Sequence, residues 1–107
     1  MHPHEKKSLD EIVKKLKECL GDRISAVYVF GSRVRGDFGG WSDFDVLVIL
    51  KDRTPEIEEK VIGIFVDEEI KAGLSFSPVI KDIRSFEQEK KHHTPFYENI
   101  MREGVPL

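Results

Sequence analysis

Residues 29–50, "VFGSRVRGDFGGWSDFDVLVIL", join two apolar runs through a glycine-rich connection. The runs "ISAVYVF" at 24–30 and "DFDVLVIL" at 43–50 consist mainly of β-branched and aromatic residues, which is typical of interior strands covered on both faces. Asp43 and Asp45 are the exceptions, and they stand where the second run begins. Because side chains alternate between the faces of a strand, these two carboxylates point the same way. The stretch therefore predicts two interior strands with a carboxylate pair at one end.

The rest of the chain predicts helices around a small sheet. Apolar residues recur at helical spacing over 9–20, where Ser8 and Glu11 are placed as a capping box. Thr54 and Gly73 bound a second helix, Pro78 favours an edge position for a strand at 74–80, and Thr94 opens a short helix that runs to about Arg102. We therefore predict the α/β (α+β) class, with a mixed sheet of about three main strands flanked by helices.

Length and charge narrow the class of protein. A chain of 107 residues suits one domain, residues 1–107, and a net charge of -3 argues against general nucleic-acid binding. Cys19 is the only cysteine, which fits a reducing compartment, and its place in an amphipathic helix favours a packing thiol. No run approaches the roughly 18 apolar residues that a membrane span needs, so we expect the protein in the cytoplasm.

The paired carboxylates and the turn before them indicate a metal and phosphate site. Two adjacent carboxylates repel each other unless water, backbone N–H groups or a divalent cation neutralise them, and Mg²⁺ takes one or two carboxylates plus substrate phosphates. Gly31 and Ser32 follow the first strand directly, where N–H groups and a hydroxyl can hold a phosphate. Arg33 and Arg35 are close enough to add positive charge, although a solvated position is equally consistent with the sequence.

A structural alternative remains for the same residues. Ser42 and Asp43 could cap a turn at the strand entry, with Asp45 hydrogen-bonded to the backbone. Two features together favour the metal and phosphate site: the Gly-Ser turn after one apolar strand and the Asp-x-Asp pair at the start of the next. Either motif alone would be weak support.

"GSRVRG" followed by "SDFDV" resembles the signature of the polymerase-β-like nucleotidyltransferase superfamily. The short chain is similar to the minimal nucleotidyltransferase (MNT) branch, which is often encoded beside a HEPN-domain toxin in toxin-antitoxin pairs. The resemblance implies a nucleotidyltransferase-like domain that uses Mg²⁺, with two ions when nucleotide is bound, and ATP as substrate. It implies transfer of AMP to a hydroxyl, a tyrosine of the HEPN toxin in the antitoxin branch. The site residues that we expect are Asp43 and Asp45 for metal and catalysis, and Gly31, Ser32, Arg33, Arg35 and Ser42 for the nucleotide and its phosphates.

One feature departs from the family pattern. Active members usually carry a third acidic residue on the strand after the second helix, and "LSFSPVI" offers only Ser75 and Ser77 there. A serine replaces a carboxylate neither as a base nor as a strong metal ligand. The alternative function is therefore a catalytically weak or inactive nucleotidyltransferase-like module that neutralises its partner by direct contact.

Overall fold

A computed structural model describes residues 3–31 and 44–107, and within them the chain forms four α-helices and a four-stranded sheet. The helices are α1 (Pro3–Leu20), α2 (Pro55–Ala72), α3 (Ile83–Lys91) and α4 (Pro95–Glu103), and the strands are β1 (Ile24–Phe30), β2 (Phe44–Leu50), β3 (Phe76–Asp82) and β4 (Val105–Pro106). No helix in this part of the chain is both long enough and apolar enough to cross a membrane. The predicted α+β class is confirmed.

The sheet is mixed, and its order places the two predicted interior strands at its centre. The order is β3-β2-β1-β4, with β2 antiparallel to β1 and parallel to β3. The edge position that Pro78 predicted for β3 is confirmed, since β3 pairs only with β2 among the described strands. β1 and β2 therefore have neighbours on both sides, and the end of β1 lies beside the start of β2.

Alternate residues of β2 pack into two separate hydrophobic clusters. Val46, Val48 and Leu50 belong to the cluster that includes the apolar faces of α1 and α2. Leu47 and Ile49 belong to the cluster under α3 and α4. Because side chains of a strand alternate, Asp45 lies on the same face as Leu47 and Ile49, at the end of the α3/α4 side of the sheet.

The predicted caps of α2 and α4 are confirmed. The Thr54 hydroxyl accepts a hydrogen bond from the Ile57 N–H at 3.2 Å, and Gly73 ends α2 in the left-handed conformation at φ 69°. At α4 the Thr94 hydroxyl accepts from the Tyr97 N–H, also at 3.2 Å. These threonines satisfy N–H groups that a helix start leaves without backbone partners.

The N-terminal helix differs from its prediction in two respects. α1 begins at Pro3, so Ser8 lies inside the helix and is buried, and a capping box there was wrong. Glu5 occupies the first turn instead, where a carboxylate interacts favourably with the helix dipole. Cys19 is exposed, which contradicts the packing role expected for it.

The C-terminal third contains elements that the sequence pattern did not predict. α3 was not predicted, and Phe86 is its single buried residue. Asp82 caps this helix by accepting a hydrogen bond from the Ser85 N–H at 2.7 Å. β4 has two residues, too few for a periodic signal. β3 also lies two residues later than predicted.

Candidate functional site

The structure describes two of the seven predicted site residues. Gly31 follows the last residue of β1, and Asp45 is the second residue of β2. Both lie at the end of the sheet where the chain leaves β1 and enters β2. The other five lie outside the described residues, and they are Ser32, Arg33, Arg35, Ser42 and Asp43.

Gly31 and Asp45 are in close contact, and the contact explains the glycine. Asp45 pairs with Phe30 across the antiparallel ladder, so its carboxylate reaches the next residue of β1. A Cβ atom built on Gly31 would overlap Asp45 Oδ2, and the φ angle of Gly31 is +96°, a value that other residues rarely adopt. The absence of a side chain at Gly31 thus creates the space that the carboxylate occupies.

Asp45 is the polar exception on a strand that is otherwise buried. Every other residue of β2 has an exposed fraction of 3% or less, whereas Asp45 is partly exposed. A carboxylate at this position needs solvent, donors or a cation to offset the loss of hydration. The buried neighbours fix the strand beneath it, so the position of the carboxylate follows from the core.

Ser77, and not Ser75, is the residue of β3 that lies beside Asp45. The parallel register pairs Asp45 with Ser77, and the Phe44 N–H donates to the Ser75 carbonyl at 3.0 Å. Paired residues of adjacent strands present their side chains on the same face of the sheet. The side chains of Ser77 and Asp45 therefore lie on one face. The third acidic residue that the family resemblance implies would belong at this position, and the chain carries a serine.

The donors present fit a hard divalent cation. Asp45 has a partly exposed carboxylate that lies against Gly31, a residue without a side chain. Mg²⁺ is bound in proteins by one or two carboxylates together with substrate phosphates. Within the described ranges, no group of three His, Cys, Asp or Glu side chains could hold a metal by itself. A carboxylate such as Asp45 suits a cation that arrives together with a phosphate ligand.

An aromatic pair from β1 and α4 forms the neighbouring surface, which the sequence did not predict. The rings of Phe30 and Phe96 meet edge to face with centroids 5.7 Å apart. Lys81 Nζ lies 4.8 Å from the centre of the Phe96 ring and 2.7 Å from Glu89 Oε2. α4 is thereby attached to the strand end that carries Gly31. The pair of threonine and proline at 94–95 signalled the helix, but no local pattern signalled this contact.

Comparison with known proteins gives a consistent family. A family model described as Nucleotidyltransferase domain matches residues 9–107. Two proteins of Methanocaldococcus jannaschii, each named "Putative protein adenylyltransferase", are similar over nearly their whole length. One is 32% identical over 102 residues, covering 91% of this chain and 96% of the relative. The other is 29% identical over 105 residues, covering 97% and 98%.

Solved structures share the fold. One is a Sulfolobus solfataricus protein described as "a putative nucleotidyltransferase". It superimposes with a TM-score of 0.51 at 25% identity, and the match covers 94% of this chain and 76% of that one. A structure of tri-AMPylated Shewanella oneidensis HEPN toxin in complex with MNT antitoxin contains a match with a TM-score of 0.53 at 15% identity, covering 95% and 70%. The second likeness concerns the fold alone.

Proposed function

Because the chain belongs to the nucleotidyltransferase domain family, we propose that residues 1–107 act as a single minimal domain that transfers AMP from ATP, with Mg²⁺, to a hydroxyl of a partner protein. The acceptor is a tyrosine of a HEPN toxin, which the modification silences in the cytoplasm. The observation that carries the proposal is the contact between Gly31 and the Asp45 carboxylate at the junction of β1 and β2. It brings together the first half of the Gly-Ser motif and the second half of the Asp-x-Asp motif.

Each residue of the site has a distinct role in this reaction. Asp43 and Asp45 would hold Mg²⁺, which when bound neutralises negative charge on the triphosphate oxygens. Gly31 and Ser32 would hold phosphate oxygens through the backbone N–H and the hydroxyl. Arg33, Arg35 and Ser42 come between Gly31 and Asp43 in the sequence and would add charge and a donor to the same nucleotide.

The reaction is a displacement at the α-phosphorus. The acceptor oxygen forms a bond to that phosphorus, the bond to the bridging oxygen of the β-phosphate breaks, and pyrophosphate leaves with both electrons of that bond. The hydroxyl proton passes to a base or to water. Alignment of acceptor and nucleotide supplies much of the rate enhancement in reactions of this class, so the residues that hold the triphosphate matter most.

The names of relatives support protein as the acceptor class. The M. jannaschii relatives bear the name of protein adenylyltransferases, and the S. oneidensis complex joins an MNT antitoxin to an AMPylated HEPN toxin. A structural match solved with the ATP analogue AMP-PNP supports ATP as the nucleotide. The HEPN partner, the tyrosine acceptor and the Mg²⁺ requirement are our proposals for this chain.

A second candidate function is favoured by Ser77. With serine beside Asp45, the described part of the site lacks a carboxylate that could assist the attacking hydroxyl. A weak or inactive relative would still bind nucleotide and would neutralise the partner by direct contact. The two functions differ in whether label moves from ATP to the partner.

The test is a label-transfer assay with the purified chain, α-labelled ATP and the HEPN protein that this proposal expects to be encoded beside it. We expect label on the HEPN protein with Mg²⁺ and none after chelation, and loss of label with Asp43→Asn or Asp45→Asn. Asp52→Asn is the matched control, because Asp52 is exposed and lies beyond the other end of β2. Mass spectrometry of the product then identifies the acceptor residue.

One outcome would decide against the transfer function and another against the proposed acceptor. If the intact chain transfers no label while both Asp variants still neutralise the toxin, the contact function is correct. If label reaches the HEPN protein at a residue other than tyrosine, nucleotidyl transfer stands and the proposed acceptor is wrong.

A further inference from the structure

A polar cavity lies between the first half of α1 and the end of α2, and neither Gly31 nor Asp45 lines it. Its volume is about 390 Å³, within the range of roughly 300–1,000 Å³ that is usual for small-molecule sites. Residues at helical spacing line it, and they are His4, Lys7, Ser8 and Glu11 of α1 with Glu68 and Lys71 of α2. One face of each helix therefore borders the same cavity.

Glu68 lines this cavity with a buried carboxylate that has no partner within the described part of the chain. The exposed fraction of Glu68 is 3%, and its Oε2 atom is enclosed without a hydrogen-bond donor. No ion pair of the described residues includes Glu68. A buried carboxylate without donors is costly, because it has lost its hydration and gained nothing in exchange. We therefore expect an occupant of the cavity that supplies hydrogen-bond donors.

The lysines beside the cavity do not supply those donors. Lys71 follows Glu68 by three residues on α2, and Lys7 borders the cavity from α1. Both lysines are exposed, and neither forms an ion pair with Glu68 or with the half-buried Glu11. The cavity thus presents two carboxylates and two ammonium groups that are not paired with one another.

These charges restrict the class of ligand. A metal ion fits poorly, because no group of three His, Cys, Asp or Glu side chains in the described ranges could hold one. A purely anionic ligand would be repelled by Glu68 and Glu11, and a purely cationic one by the two lysines. A molecule with both an amino group and an acidic group would meet opposite charge at each end.

We propose that this cavity binds a small zwitterion with an amino group and an acidic group, the chemistry of an amino acid. The amino group donates hydrogen bonds to the carboxylates of Glu68 and Glu11. The acidic group accepts hydrogen bonds from Lys7 and Lys71. Ser8, which is buried at 5% exposure, adds a hydroxyl, so the three donors of an ammonium group have two carboxylates and a hydroxyl as acceptors. This binding does not depend on the proposed transfer function.

The test is a titration of the ¹⁵N-labelled chain with each of the twenty common amino acids, followed by ¹H–¹⁵N NMR spectra. At least one amino acid should cause saturable shifts with a Kd below about 10 mM, concentrated in the amides of residues 4–11 and 68–73. Propylamine and propionate each carry one of the two charged groups and should bind at least about tenfold more weakly. Absence of a saturable shift with any amino acid would overturn the proposal. So would propylamine that binds as tightly as the amino acid, because a cation alone would then suffice.

Variants separate a ligand-binding role of Glu68 from a structural one. Glu68→Gln should weaken binding of the amino acid by at least about tenfold, and Lys71→Gln should weaken it less, because Lys71 is exposed. Glu87→Gln, at an exposed position of α3, is the matched control and should bind as the original chain does. Without ligand, Glu68→Gln should melt at the same or a higher temperature, since it removes a buried charge that lacks a partner. Unchanged affinity in both cavity variants would contradict the proposal, and a lower melting temperature for Glu68→Gln would show that Glu68 serves the fold instead.

Discussion

β2 and β3 run side by side in the same direction and in register, yet they carry very different constraints. β2 is buried along its length apart from Asp45, whereas Phe76 is the single buried residue of β3. β2 lies inside the sheet and β3 at its edge. Asp45, the carboxylate with the proposed metal role, therefore stands on β2, the strand with the most buried residues. The position that lacks a carboxylate, Ser77, stands on a strand with a single buried residue.

The edge of β3 is protected in a way that β2 does not need. Because the Phe44 N–H donates to the Ser75 carbonyl, the alternation of a parallel ladder points the Phe76 N–H away from β2. Glu69 accepts that N–H, and Pro78, two residues later, has no N–H to expose. Open donors of an edge strand invite pairing with other chains, and each of these two features removes one such donor. Substitutions at the site and along β3 test this contrast between the two strands.

Gly31→Ala should have the largest effect on activity, because residue 31 is in contact with the Asp45 carboxylate. The new Cβ would displace the Asp45 carboxylate, and alanine resists a φ of +96°. We expect a loss of nucleotidyl transfer of about 100-fold or more, and a decrease of about 1–2 kcal/mol in the free energy of unfolding. Initial rates and urea denaturation measure the two effects.

Gly21→Ala is the matched control for that change. Gly21 also has a positive φ, +52°, but a Cβ there would meet no atom within 4 Å. The control should lose about 1 kcal/mol of stability from backbone strain and keep its activity. Equal loss of activity in both variants would show that strain, and not the Asp45 contact, is what matters at Gly31.

Ser77→Asp should make β3 resemble β2 at the site. Two carboxylates side by side repel, so we expect a lower melting temperature without Mg²⁺ and recovery when Mg²⁺ is added. If a third carboxylate is what the site lacks, transfer should accelerate by about tenfold or more. Ser75→Asp is the control, because Ser75 precedes β3 and does not pair with Asp45. An equal rate for both variants would exclude Ser77 as the missing position.

Glu69→Ala should produce a smaller change, confined to stability. It removes the acceptor of the Phe76 N–H, and the loss of one partly buried hydrogen bond costs about 1 kcal/mol. Glu69→Gln retains an acceptor oxygen and should behave nearly as the original chain does. Thermal unfolding of the three proteins is the measurement, and equal destabilisation by both variants would assign the effect to charge and not to the hydrogen bond.

Asp82→Ala should have the smallest effect, at the far end of β3, and the effect should depend on pH. The hydrogen bond from the Ser85 N–H, as the main cause, lowers the pKa of the Asp82 carboxyl from its ordinary value. A carboxyl whose pKa is lower in the folded state stabilises the fold above its unfolded pKa, and that contribution disappears as the pH falls through the folded pKa. The variant should therefore melt earlier near neutral pH and at the same temperature in strong acid. A constant difference at every pH would contradict the assigned cause.

The parts of the fold that the sequence predicted are those with a strong local signal. Thr54 and Thr94, each followed by proline, marked two helix starts correctly, and Pro78 marked the edge strand. α3 was missed because a helix with a single buried residue has almost no apolar period. Cys19 was wrongly predicted to pack in the core because it lies near the boundary of the apolar face of its helix. A residue at that boundary can be either buried or exposed.

The site was predictable as a set of residue types, and its internal contacts were not. The motif named Gly31 and Asp45, but their contact follows from the register of β1 against β2, which depends on pairing between strands. The same register identifies Ser77 and not Ser75 as the neighbour of Asp45. Two serines in alternation look alike in the sequence, and only the pairing of β2 with β3 distinguishes them.

The proposed function requires that the Asp45 carboxylate, positioned against Gly31, binds the Mg²⁺ that accompanies the nucleotide. Calorimetric titration of Mg²⁺ into the chain with a non-hydrolysable ATP analogue tests it most directly, with Asp45→Asn as the variant and Asp52→Asn as the control. We expect the Asp45 variant to bind Mg²⁺ at least about tenfold more weakly and the control to match the original chain. Equal affinity for Mg²⁺ in all three proteins would contradict the claim.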